Sequence, residues 1–209
     1  MLTLYYAPGT CARASLIALA EAGADYTIVP LDFGQAEQRK PEYLAVNPKG
    51  RVPALATGRG VLTETPAILA FIAQSFPAAR LAPLDDPFAF AKMQAFNSYL
   101  CSTVHVAHAH GRRGARWADD PAAHESMHRK VAQNMLECFQ LIESGMFQGP
   151  WVMGDTFSVA DAYLYTISGW LEGDSVDLGL LPATQAHRQR MAQLPAVQRA
   201  LAQEVAGTG

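Results

Sequence analysis

The stretch Tyr5-Tyr6-Ala7-Pro8-Gly9-Thr10-Cys11-Ala12-Arg13-Ala14-Ser15-Leu16-Ile17 changes character in the middle. Leu2 to Tyr6 is short, apolar and partly aromatic, which predicts a strand. Pro8-Gly9 breaks it. From Cys11 the apolar residues Ala12, Leu16 and Ala20, with Ile17 and Leu19, recur at helical spacing until Gly23 provides a stop. Tyr26-Thr27-Ile28-Val29-Pro30-Leu31 is β-branched and aromatic, a second strand whose proline favours an edge position. Strand, helix and strand in about 30 residues is the size of a βαβ unit.

Working outward, Pro53 to Leu55 and Val61 to Thr63 bracket Thr57-Gly58-Arg59-Gly60, which predicts a hairpin. Thr65-Pro66-Ala67-Ile68-Leu69 then opens a helix, with Thr65 expected at the N-cap and Pro66 in the first turn. The proline-rich stretch from Pro77 to Pro87 reads as a linker. Beyond it strand signals fade. Phe90, Met93, Phe96, Leu100 and Val104 mark one long helix with a buried stripe. Ser158-Val159-Ala160-Asp161 is a capping-box pattern, Asp replacing the usual Glu, ahead of an apolar helix expected to run through Trp170 at the centre of a bundle. The fold class is therefore α/β in the N-terminal part, in the order βαβ-α-ββα, followed by an all-α bundle. The expected boundaries are 1–76, a linker at 77–87, and 88–209.

Half of the 209 residues are hydrophobic and 17% are charged, enough for a sizeable core. A net charge of −3 gives no electrostatic case for nucleic acid, and no apolar run is long enough for a bilayer, so neither is expected as a partner. The start lacks a basic, signal-like segment, which predicts a cytoplasmic protein. The three cysteines, Cys11, Cys101 and Cys138, are widely spaced and read as free thiols.

A thiol at the first turn of a helix meets unpaired N–H groups and the positive end of the helix dipole. Cys11 is accordingly expected to be more acidic than a free cysteine, whose pKa is about 8.5. Cys11-Ala12-Arg13-Ala14 is not Cys-x-x-Cys, so no resolving thiol follows, and redox chemistry needs an external thiol such as glutathione. In Asn47-Pro48-Lys49-Gly50-Arg51-Val52-Pro53, a cis Val52–Pro53 bond turns the backbone of Val52 outward to pair with an extended peptide; an ordinary trans proline is the alternative. Thr65 at a helix start suits a carboxylate and Glu64 an ammonium, together an α-amino acid head group.

The motifs PGTC, NPKGRVPAL, LTETPAIL and FSVADAYLY, in this order and over nearly the whole chain, resemble the cytosolic glutathione S-transferases, in particular their bacterial beta-like, cysteine-containing class. The resemblance implies a thioredoxin-like domain, an all-helical domain and a homodimer. It implies that Cys11 can form a mixed disulfide with glutathione, that Val52 holds the cysteinyl part beside cis Pro53, and that Glu64 and Thr65 hold the γ-glutamyl group. Thr10 and Lys49, from the same motifs, complete the expected glutathione set. His105 matches a histidine that the long helix presents to the site; the basic residue that often follows is Val106 here. Tyr6, with Tyr5, is the runner-up catalytic hydroxyl, since other classes activate glutathione with a tyrosine nearby. Glutathione is expected as co-substrate with a hydrophobic electrophile, and no metal. The alternatives are a glutathione-dependent isomerase or dehalogenase, or a non-catalytic glutathione-binding stress protein.

Cys101, His105 and His108 lie on one helical face and read as a polar, cleft-facing strip rather than a metal site. His124 and His128 read as a solvated face. Arg112, Arg113 and Arg116 read as a solvated helix end, with attraction of an anionic substrate as the alternative.

Overall fold

The computed structural model describes residues 1–206. Its sheet has strands β1 (Leu2–Tyr6), β2 (Tyr26–Pro30), β3 (Ala54–Thr57) and β4 (Gly60–Thr63), in the order β2-β1-β3-β4. Strand β1 lies parallel to β2, with Leu4 opposite Ile28, and helix α1 (Ala12–Glu21) makes the crossover. Pro30 does end an edge strand, where its missing N–H costs no ladder bond. After the short helix α2 (Pro41–Leu44), β3 pairs antiparallel with β1 and β4 pairs antiparallel with β3. Helix α3 (Thr65–Ser75) closes this unit. The order is the expected βαβ-α-ββα.

The rest is helical. The long striped helix is α4 (Pro87–Tyr99), a π turn at Leu100–Val104 and α5 (His105–Arg112), with Met93, Phe96, Leu100 and Val104 buried. Helices α6 (Pro121–Leu141), α7 (Val159–Ser168), α8 (Pro182–Ala192) and α9 (Pro195–Ala206) follow. As its composition predicts, α7 is buried on nearly every side. Helix α1 packs on α3, α7 and α9, so the turn that carries Cys11 is pinned between the α/β unit and the bundle.

Two details differ from expectation. The cap of α3 is Glu64, and Thr65 is already its first helical residue. Helix α7 stops at Ser168: Gly169 weakens the helix, and Trp170 N–H bonds tightly back to the Ile167 carbonyl at 3.1 Å, which swings Trp170 off the helix axis. Within the stretch 77–87, Leu81 is buried and its carbonyl accepts from Val159 N–H at 2.9 Å.

Candidate active site

After Tyr6 the chain turns sharply, with Gly9 at φ +70° and both the Thr10 N–H (3.3 Å) and hydroxyl (2.6 Å) donating to the Ala7 carbonyl. This delivers Cys11 to the N-cap of α1, where it is 8% exposed and its thiol donates to the Val52 carbonyl at 3.6 Å. The Thr65 hydroxyl lies against the same sulfur. Burial pushes the Cys11 thiol up from its ordinary value; the Thr65 bond, the Arg113 charge and a local N–H oppose this without reversing it. The expected acidic thiol is therefore corrected. The helix start is where the sequence placed it, but desolvation outweighs the groups there that favour the thiolate.

The facing loop is held from behind. The Tyr43 hydroxyl and Asn47 Nδ2 both donate to the Arg51 carbonyl at 2.6 Å. Val52–Pro53 is cis, and the Val52 N–H has no hydrogen-bond partner among the described residues. Beyond it Glu64 adopts φ +71°, ψ 120°, a conformation that costs a non-glycine residue about 1–3 kcal/mol and is typically kept at ligand cradles. Lys49 Nζ donates to Thr63 Oγ1 at 2.9 Å and pairs with the Glu64 carboxylate. Thr65 is buried, its hydroxyl between Cys11 and the Tyr163 hydroxyl.

Two cavities meet at Cys11, Arg51, Val52, His105 and Arg116. One, of about 290 Å³, runs along Pro53, Glu64 and Thr65 to Cys101 and Tyr163. The other, of about 180 Å³, is bounded by Thr10, Arg39, Arg51, Arg113 and Trp170. His105, immediately after the π turn, contributes to both, and its imidazole is held neutral, with its pKa lowered to about 4 by burial first and then by Arg113, His108, Arg116 and Arg51. Its ring meets Trp170 edge-on at 4.9 Å, and His108 stacks on Trp170 at 4.3 Å while its Nδ1 engages Asp174 at 2.7 Å. The strip Cys101, His105, His108 thus faces the cleft; among the described residues no group of three such side chains gathers around a common metal position.

Tyr6 is a correction. It is fully buried, its hydroxyl donates towards the Glu204 carbonyl on α9 at 3.4 Å, and burial with the Glu204 charge raises its pKa, so it lies away from both cavities. Tyr5 packs on Tyr43 instead. Strand alternation separates the two rings correctly, but neither reaches the cleft.

Four contributors were missed in the sequence. Trp170 donates from Nε1 to the Gly9 carbonyl at 2.9 Å. Glu204 accepts from Gly9 N–H at 2.9 Å and from Arg13 Nε at 2.8 Å. Arg39 and Arg51 line the cleft mouth. A tryptophan just past a buried helix was a usable signal for the first; nothing local marks Glu204.

The family comparisons agree with this geometry. Residues 1–74 match the glutathione S-transferase N-terminal domain and residues 95–195 the C-terminal domain. The chain is 34% identical to glutathione S-transferase GstA of Escherichia coli O157:H7, covering 96% of this chain and 98% of that one. It is similar to a glutathione transferase homologue from Sulfitobacter solved with bound glutathione, at 45% identity and TM-score 0.94, covering 97% of this chain and 98% of that chain. A beta-class glutathione S-transferase of Sphingomonas chungbukensis matches at 32% identity and TM-score 0.83, over 97% and 98% of the two chains. With its two cavities converging on a helix-capping cysteine, this chain belongs to the glutathione S-transferase family.

Proposed function

We propose that the cleft binds glutathione extended along Val52 and conjugates it to an electrophilic small molecule. The observation that carries this reading is the unpartnered Val52 N–H beside cis Pro53, with Cys11 on one side and the Glu64–Thr65 helix start on the other. Val52 offers its backbone to the cysteinyl unit as an added strand does. Thr65 and the first N–H groups of α3 receive the γ-glutamyl carboxylate, and Glu64 receives the ammonium, displacing Lys49. Thr10 shapes the turn that presents Cys11.

Because Cys11 is a neutral donor at rest, its S–H is suited to stabilising the glutathione thiolate. In conjugation the glutathione thiol loses its proton to solvent, its sulfur bonds to the electrophilic carbon, and the leaving group departs with its electron pair. With oxidised glutathione Cys11 instead loses its proton to solvent and its thiolate attacks one sulfur, forming a mixed disulfide as the S–S bond breaks and one glutathione thiolate leaves. His105 is an uncharged wall of the site. The protein works in the cytoplasm as a homodimer; among the described residues no helix is long and apolar enough to cross a membrane. The turn before Cys11 is Pro8-Gly9-Thr10, and no observation favours an isomerase or a non-catalytic role.

The test combines calorimetric titration of glutathione with turnover of an aryl halide. Cys11→Ala is expected to abolish glutathionylation by oxidised glutathione, read by mass spectrometry, while conjugation falls about ten- to hundredfold but persists, the loss of one hydrogen bond to a charged sulfur. Equal loss of both activities overturns this division of roles. Absence of glutathione binding overturns the reading as a whole.

A further inference from the structure

The smaller cavity carries an unbalanced charge. Arg39 and Arg51 come from the α/β unit, Arg113 and Arg116 from the segment that follows α5, and all four border the same space. None of them has an ion-pair or side-chain hydrogen-bond partner among the described residues. No carboxylate borders the space. The acids bordering the adjoining cavities are engaged elsewhere, Glu64 with Lys49 and Asp174 with His108. Burial, and then Arg113, Arg51 and Arg39, lower the Arg116 pKa, so the cations also repel one another.

Glutathione, bound as proposed above, accounts for part of this. With its γ-glutamyl end at Thr65 and its sulfur at Cys11, the tripeptide points its glycyl carboxylate past Val52 towards Arg51 and Arg39. One carboxylate suits one or two guanidinium groups. Arg113, on the helical wall, is left over, and Arg116 beside it borders both cavities, within reach of a second anion. Beside them stand Trp170, His105 and Phe33, flat surfaces suited to a planar ring.

We propose, resting on the transferase reading, that the second substrate is an anionic aryl electrophile whose carboxylate or sulfonate is held by Arg113 and Arg116. Its ring lies against Trp170, with the reactive carbon turned towards Cys11. This replaces a purely hydrophobic electrophile with a flat acid. The step is a substitution needing no oxidant or reductant: the glutathione S–H proton goes to solvent, a carbon–sulfur bond forms, a carbon–chlorine bond breaks and chloride leaves with the electron pair.

The experiment compares two probes of like reactive centre, 4-chloro-3,5-dinitrobenzoate and neutral 1-chloro-2,6-dinitrobenzene, each with wild-type protein and Arg113→Gln/Arg116→Gln. The readout is the ratio of kcat/KM for the acid over the neutral compound, divided by the same ratio for the uncatalysed reaction. The wild type is expected to favour the acid at least about tenfold, and the double variant to lose that preference, as for two charge-assisted bonds. Added salt should lower the wild-type preference and leave the variant's ratio flat. A wild type without preference, or a variant that keeps it, overturns the proposal. So does a variant whose only change is a higher KM for glutathione, because all four arginines then serve the tripeptide. If glutathione itself does not bind calorimetrically, the transferase reading fails, and this inference with it.

Discussion

Cys11 and His105 show how little a residue's type fixes its charge state. Cys11 sits at a helix start, the place that favours thiolate, yet burial raises its pKa, and the Thr65 bond and the Arg113 charge oppose that rise without reversing it. His105 follows the same logic with opposite sign: burial and neighbouring cations lower its pKa to about 4. In the unfolded chain a histidine titrates near about 6.5, so between about pH 6.5 and pH 4 the unfolded state holds the extra proton. The stabilisation due to neutral His105 is complete above about pH 6.5 and is lost as pH falls towards about 4. The stability gap between wild type and His105→Gln, from urea denaturation, is therefore expected to narrow between about pH 7 and about pH 5. Ring NMR should show the His105 imidazole neutral throughout that range; titration near about 6.5 would sink this account. The placement of Cys11, Val52, Glu64, Thr65 and His105 around one cleft was legible in the sequence, because motif order carries it. Their charge states were not, because they depend on what other segments bury.

Helix ends were legible where the cap is local and illegible where it is shared. Ser158 and Asp161 form the expected capping box, with Ser158 N–H donating to Asp161 Oδ2 at 2.8 Å. The sequence hid the rest of the load on that carboxylate: Val152 N–H donates to Oδ1 at 2.8 Å and His187 Nε2 lies 3.0 Å from the same oxygen. All of this is buried. A lost cap alone costs about 1 kcal/mol, and stranding a buried N–H adds about 1–3 kcal/mol. Asp161→Ala is therefore expected to lose about 3 kcal/mol or more in chemical denaturation, with Asp161→Asn losing less because it keeps an acceptor. A loss near about 1 kcal/mol would mean that only the cap matters. The π turn at Leu100–Val104 was illegible for a different reason. A single stripe of apolar residues at three- and four-residue intervals is compatible with an uninterrupted helix, and the extra residue shows only once the cleft is assembled, with His105 directly after it.

At the scale of the whole molecule, the bundle holds the reactive turn from two directions. Trp170 donates to the Gly9 carbonyl, and Glu204, nearly 200 residues from it in sequence, accepts from Gly9 N–H and pairs with Arg13. Both peptide groups of Gly9 are thus fastened by the helical part, and α1 is clamped just beyond Cys11. These contacts join the ends of the chain, so no local pattern announces them. Glu204 is 3% exposed, and removing its carboxylate strands Arg13 and a backbone N–H, at a cost of about 2 kcal/mol or more. Glu204→Ala is expected to lower stability by that amount and to lower kcat more than it raises the KM for glutathione, because the γ-glutamyl cradle at Thr65 is untouched while the cysteine turn loosens. Glu204→Gln keeps an acceptor for Gly9 and forfeits the ion pair, so it should recover much of kcat with less of the stability. If the alanine variant loses stability but retains wild-type kcat, α9 braces the fold without positioning Cys11.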